Sequence, residues 1–515
     1  MRDHLDGSVR TERHRASEAA GPSHAWPLVG LATAAAASGA LLLILQSHLT
    51  FFADDWEFLL QRRGFSAGVF LNPHNDHIAV APVAIYKALL AVFGMSSALP
   101  LQIVSTLVFL LSCVLLFTYL RRRVGGYPAL LGSVLILFLG AGWIDLLWPF
   151  QIGFSGSIAA GIAAFLALDR DDRIGDAAAC GLLVVATSFS ELGVPFAVGA
   201  LVSVALGPAP RLRRAYVALV PLALYAIWYL GWGHKVHHWE SFHNLLNSPK
   251  FMFDAVSQNL ASLLGLATPL HGNANTTTTA GLTWGRTLFV IAIAGAIWRH
   301  SRIGRPSRWL WAVLAAGGAF WFLTALNAIP VLRAPTSGRY QYPGAIFVLL
   351  IAAEFLRSVR ANTKFLIAAS VVTLAAAVSG IILLRDGHRV LQVGSDTLRV
   401  RLAVAEIGRG AEGPAFKVYF PPYTLIPARV YFSAIDAFGS PAFSESQLAT
   451  SKYGVTADRL LVQAEGIELK LAASGSAHAH GGCTNDEWRP ARADRIGARP
   501  RQVHVDGFGL AGGDD

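Results

Sequence analysis

The chain has 515 residues, of which 54% are hydrophobic and only 14% charged, and its formal net charge is +10. Soluble domains carry about 25% charged residues, so this composition excludes an ordinary soluble globular protein. The basic residues alternate with apolar runs, which argues for a positive-inside membrane protein and against a nucleic-acid partner.

Residues 1–25 are polar and carry Arg2, Arg10, Arg13 and Arg15, which predicts a cytoplasmic arm. A first span is predicted at 27–49, with no cleavable signal peptide before it. Residues 50–98 read as a long loop with a helix at 78–93. A second span at 99–120 ends in Arg121, Arg122 and Arg123. Spans at 127–142 and 152–168 are joined by an aromatic turn, 143–151. Residues 176–207 are too long for one span and are broken at 190–195, so they read as two short spans. A seventh span is predicted at 215–232, followed by a loop, 233–284, with an interfacial helix at 251–266. Four more spans are predicted at 285–298, 309–328, 343–356 and 365–384.

The expected architecture is therefore an all-α polytopic membrane protein with about eleven transmembrane helices, in the cell membrane. The Lys and Arg excess falls on one set of connections, which puts the N-terminus in the cytoplasm. An odd span count then puts the C-terminal region outside. Residues 385–473 read as a small α/β appendage, amphipathic at 395–407 and strand-like at 416–420 and 460–471. Residues 474–515, rich in Gly, Ala, Arg and His, read as a disordered tail. Cys113, Cys180 and Cys483 imply no disulfide framework.

Chemistry-bearing residues gather in the predicted outer loops. Asp54 and Asp55 follow the first span, and a carboxylate there can act as a general base or cation ligand. The plainer alternative is a solvated helix end. His74 and His77, three apart, would share a face of a helix, and with Asp76 they are candidate ligands of a divalent metal. The alternative is a helix start capped by Asn75 or Asp76. Arg339 and Tyr340, with Arg333 nearby, stand at the mouth of the tenth span; an Arg there can pair with a phosphate. Asp145, in the aromatic turn, and Glu191, in the broken segment, are ionisable residues near membrane depth and so candidate substrate contacts. Glu191 reads equally well as a polar turn residue. His234, His237, His238 and His243 read as a His-rich interfacial loop.

Asp54-Asp55-Trp56, the 74–77 cluster, the aromatic turn 148–154 and the segment 339–344 occur in an order that resembles the GT-C glycosyltransferase superfamily. The likeness is closest to uncharacterised bacterial polytopic members, and it spans about 27–384. The resemblance implies transfer of a sugar from a polyprenyl-phosphate donor to an envelope glycan or protein acceptor, with inversion. It implies Asp54 or Asp55 as the base, Arg339 beside the departing phosphate, and His74, Asp76 or His77 as metal ligands or donor contacts. Glu191 departs from it, since small neutral residues are expected at that break.

Two other readings compete. A transporter or flippase for a lipid-linked substrate would show charges inside several spans and repeat symmetry. The chain has no convincing internal repeat and concentrates its carboxylates in loops. A non-catalytic envelope assembly protein is the third reading.

Overall fold

The structure, a computed structural model, describes residues 25–208, 211–236, 239–267, 282–303, 306–330, 333–357, 359, 362–409, 417–420, 424–450 and 452–464. The arm before residue 25, His237, His238, Cys483 and the tail from 474 lie outside the described residues.

The described chain is overwhelmingly helical. Its principal helices are α1 (Trp26–Gln46), α2 (Val80–Phe93), α3 (Leu99–Val124), α4 (Gly126–Leu137), α5 (Ile152–Leu168), α6 (Arg173–Phe189) and α7 (Gly193–Ala205). They continue with α8 (Tyr216–Gly231), α9 (Phe242–Leu263), α10 (Leu282–Ile303), α11 (Arg308–Leu326), α12 (Gln341–Phe355) and α13 (Thr363–Ile407). Six of these helical segments are long and apolar enough to cross a membrane, or seven if the bent pair at 126–147 counts as one span. The protein is thus membrane-embedded. Helices stand at all eleven places expected from hydropathy, but α6, α7 and α12, at 17, 13 and 15 residues, and α10, at 22, are not among those six or seven.

The chain divides into two compact units, residues 1–395 and 396–515. In the first, α5 packs on α3 and α6, α7 on α11 and α8, and α9 on α10, α11 and α12. Phe165, Phe196, Phe347 and Phe320 contact one another in sequence, with ring centroids 5.1–5.3 Å apart, and form the apolar centre. Two glycines carry a close crossing. A Cβ on Gly140 would lie 2.1 Å from the Gly380 carbonyl oxygen, and one on Gly380 would lie 1.8 Å from that of Phe138. That contact sits at the 41° bend between α4 and the short helix that follows it.

The two ends of the first unit differ in chemistry. Arg123 bonds Glu354 at 2.8 Å and Asp169 at 2.6 and 2.8 Å. Arg214 bonds Asp176 through two nitrogens at 2.8 Å. The first set joins the C-termini of α3, α5 and α12, and the second joins the N-termini of α6 and α8. The candidate site lies at the other end of the same helices, about 25 Å along α5.

Three expectations are corrected. The helix at 251–266 is longer than expected and begins at Phe242; it packs into the bundle, burying Asp254, Ser257, Gln258, Asn259 and Ser262. The helix of the last expected span does not stop at 384: α13 runs 45 residues without a break and takes in the amphipathic stretch at 395–407. The strand expected at 460–471 is helical as far as it is described, within Gly454–Ala464; the rest lies outside the described residues.

The second unit, described by itself, has an antiparallel hairpin of β1 (Lys417–Phe420) and β2 (Thr424–Pro427) and helices Ala428–Phe438, Glu445–Thr450 and Gly454–Ala464. Val400, Val404, Leu448 and Ala457 form its small core. Arg409 pairs with Asp436 at 2.6 and 2.7 Å.

Candidate functional site

The loop between α1 and α2 is tied together by one buried arginine. Arg62 donates to Glu57 at 2.8 Å and to the carbonyls of Val69, Asn72 and Pro73 at 3.2, 2.6 and 2.8 Å. A guanidinium has five donors in a rigid fork, so one side chain can fix several turns of backbone. The loop closes on a tight turn in which His74 and His77 exchange two backbone hydrogen bonds of 2.9 Å. Asn75 sits there at φ 53°, a left-handed conformation that Asn tolerates. The 74–77 segment is thus neither a helical face nor a cap. Helix α2 starts at Val80 with no side-chain cap.

This turn separates two polar clusters. In the first, His74 is 3% exposed and lies against the rings of Phe58 and Phe150. Its Nε2 is 3.4 Å from Asp54 Oδ2. Its Nδ1 is 2.8 Å from Glu57 Oε2, an ion-pair contact that is off the line of a good hydrogen bond. Burial alone would lower the imidazole pKa. The adjacent carboxylates of Asp54 and Glu57 outweigh it and hold His74 up at about 9. Its Nε2 also lies 3.1 Å from the Asn75 side-chain amide nitrogen.

Asp54 and Asp55 have different fates. Asp55 is 1% exposed and accepts from the Phe52 N–H at 2.7 Å, from Trp148 Nε1 at 3.2 Å and from the Tyr86 hydroxyl. Burial raises its pKa to about 7 against the pull of those donors, with the Asp54 charge adding to the rise. Asp55 therefore ties the loop, α2 and the aromatic turn together. Asp54 keeps 31% of its side chain exposed.

The second cluster lies on the other side of the turn. Asp76 is gripped by Arg333 at 2.7 and 2.8 Å. Burial would raise the Asp76 pKa, but Arg333 and His77 prevail and lower it to about 2. His77 Nε2 lies 3.1 Å from Asp76 Oδ1, and its Nδ1 lies 2.8 Å from Glu191 Oε1. The result is a chain of four charged or polar groups: Glu191, His77, Asp76 and Arg333.

Glu191 is in place because the helix breaks there. Helix α6 ends at Ser190, which is fully extended, and α7 resumes at Gly193. A Cβ on Gly193 would be 2.4 Å from the Thr187 nitrogen, so only glycine lets the chain turn this tightly. Arg339 and Tyr340 are positioned from α9. Asn259 Nδ2 donates to the Tyr340 carbonyl at 3.2 Å and to Gln341 Oε1 at 3.0 Å, and Ser262 donates to the same Gln341 oxygen at 3.0 Å. Gln341 in turn donates to the carbonyls of Pro335 and Ser337 at 3.3 and 3.0 Å.

These elements enclose a cleft with about 530 Å³ of empty space, its open mouth included. His77, Glu191, Arg333, Arg339 and Tyr340 supply its polar lining. Phe154, Leu192, Pro195, Phe320 and Leu323 supply its apolar lining. Among the described residues Arg339 forms no ion pair, whereas Arg333 is taken up by Asp76. Asp145, on the helix Trp143–Leu147, is buried outside the lining, with the Tyr342 backbone N–H and the Arg339 charge as its polar neighbours.

The structure thus brings together His77, Glu191, Arg339 and Tyr340, with Asp76 behind them. It does not bring Asp54 or Asp55 into the cleft lining. The set His74, Asp76 and His77 does not fit a divalent metal, because His74 faces the Asp54 cluster while Asp76 is occupied by Arg333. Among the described residues no three His, Cys, Asp or Glu side chains converge as a metal-binding group. His234 and His243 have separate local contacts, with the Tyr229 carbonyl at 3.2 Å and with Asn247 at 3.1 Å. Sequence reasoning missed Asn259, Ser262 and Gln341; the one signal was a run of three polar residues, 257–259, in α9. The chain matches no protein-family model, no curated protein and no solved structure.

Proposed function

We propose that this chain is a GT-C-like membrane glycosyltransferase of about eleven spans. It takes a sugar from a polyprenyl-phosphate donor and transfers it to an envelope glycan or protein acceptor. The cleft opens on the extracytoplasmic face of the cell membrane, the N-terminus is cytoplasmic, and the C-terminal unit is extracytoplasmic.

The observation that supports this most directly is the two-sided cleft. Its apolar lining suits an isoprenoid chain. Arg339, which forms no ion pair among the described residues, suits the phosphate, because a charged donor at a desolvated site stabilises negative charge developing on a leaving group. Glu191 and His77 stand beside it as groups able to move a proton. The buried ion pairs at the opposite, Arg-rich end agree with a cytoplasmic assignment there. A second reading, transport of the same lipid-linked substrate, draws on Asp145, whose carboxylate is buried in a bent helical segment.

Purified protein in detergent, given polyprenyl-phosphate-linked glucose, mannose or galactose and an alkyl glycoside acceptor, should release polyprenyl phosphate and form a new glycoside. Arg339→Gln should weaken binding of decaprenyl phosphate by at least tenfold, and Arg339→Lys should restore part of it. Passage of the lipid across a vesicle membrane with no new glycoside would favour transport instead. A cysteine placed near Ser440, at exposed Ser444, should be labelled from outside intact cells. Protection there would invert the orientation.

A further inference from the structure

We propose that Glu191, and not Asp54 or Asp55, is the general base of this site. The proposal rests on reading the cleft as a transferase site, and it departs from the Asp-Asp base that the first loop suggests.

The geometry separates the candidates. Asp55 is sealed by three donors, from Phe52, Tyr86 and Trp148, and has no face open to a substrate. Asp54 is engaged by His74 and lies outside the cleft lining. Glu191 is in the lining, 28% exposed, on the same cleft as Arg339. Its Oε1 is held by His77 at 2.8 Å; among the described residues Oε2 makes only a long contact of 3.4 Å with the Ser190 hydroxyl. That leaves Oε2 available to an acceptor hydroxyl.

The groups behind Glu191 are arranged to orient it. His77 is fixed through its second nitrogen by Asp76, and Asp76 is fixed by the two-pronged Arg333 contact. Each member depends on the next, as in a base oriented by a third group. His77 is accordingly a positioning residue.

The reaction balances with no further reagent. The acceptor hydroxyl gives its proton to Glu191 Oε2 as its oxygen bonds to the anomeric carbon. The bond from that carbon to the phosphate oxygen breaks, and its electron pair leaves on polyprenyl phosphate, beside Arg339. Glu191 then returns the proton to solvent through the open mouth of the cleft.

The test uses the full chain in detergent, the three polyprenyl-phosphate sugars and the alkyl glycoside acceptor. Glu191→Gln should lower kcat by about 100-fold or more, within the range for loss of a general base, while KM stays within about threefold. Glu191→Asp should recover at least a tenth of the lost activity. His77→Gln should lower kcat with KM held. Asp54→Asn should lose less than about tenfold. Binding of decaprenyl phosphate at wild-type affinity by Glu191→Gln is the expected sign that this variant folds. Wild-type turnover by Glu191→Gln, or no gain of Glu191→Asp over it, overturns the proposal while leaving a transferase. Absence of release from all three donors by the wild type overturns the transferase reading and the base with it.

Discussion

Removing Arg333 should destabilise the protein through Asp76, and the size of the effect follows from the structure. The two side chains are only 10% and 5% exposed and meet at 2.7 and 2.8 Å. Deleting one member of such a buried pair leaves the other charge uncompensated, at a cost of about 3–5 kcal/mol. The pKa gives a second figure. Asp76 is lowered from 3.8 to about 2 by Arg333 and His77 together, a displacement worth about 2 kcal/mol at about 1.36 kcal/mol per pH unit. Because the folded pKa is depressed, this stabilisation is complete above about pH 4. It is lost as pH falls toward 2. Sodium dodecyl sulfate titration of the detergent-solubilised protein, followed by tryptophan fluorescence, measures it. At pH 7 Arg333→Ala should lose about 3–5 kcal/mol, and a cycle with Asp76→Asn should give a coupling of about 2 kcal/mol. Toward pH 3 the gap between wild type and Arg333→Ala should narrow. A coupling below about 0.5 kcal/mol, or a gap that does not change with pH, would refute the argument that this pair anchors the cleft.

Further outcomes follow from the same structure. His74 is raised from 6.5 to about 9, so its contribution is complete below pH 6.5 and is lost as pH rises through about 9; the same titration between pH 6 and 10 should show that loss in the wild type and not in His74→Gln. Asp55→Asn sets an amide among three donors and should cost about 1–3 kcal/mol of stability, whereas Asp54→Asn should cost under about 1 kcal/mol; equal costs would contradict the division of labour between them. Gly193→Ala puts a methyl 2.4 Å from backbone nitrogen and should destabilise by about 1–3 kcal/mol. It should also cut turnover by displacing Glu191, and unchanged turnover would show that the helix break does not place that residue.

Hydropathy determined much of this protein by itself. A helix stands at every expected span because an apolar run in a membrane must satisfy its backbone internally, which leaves few alternatives to a helix. The break at 190–195 was legible for a similarly local reason, since a glycine and a proline punctuate an apolar run too long for one span. Which residues meet was not legible. Asp54 and Asp55 are neighbours in sequence, yet one is sealed beneath Tyr86 and Trp148 and the other faces His74. His74 and His77 suggested one shared helical face, but the tight turn at Asn75 gives each its own cluster. Asn259 reaches across 82 residues to hold Gln341, and Arg333 reaches across 257 to hold Asp76. Pairings of that separation leave no periodicity to read. They depend on how the helices pack, and that packing decided that Glu191, not the Asp-Asp pair, shares the cleft with Arg339.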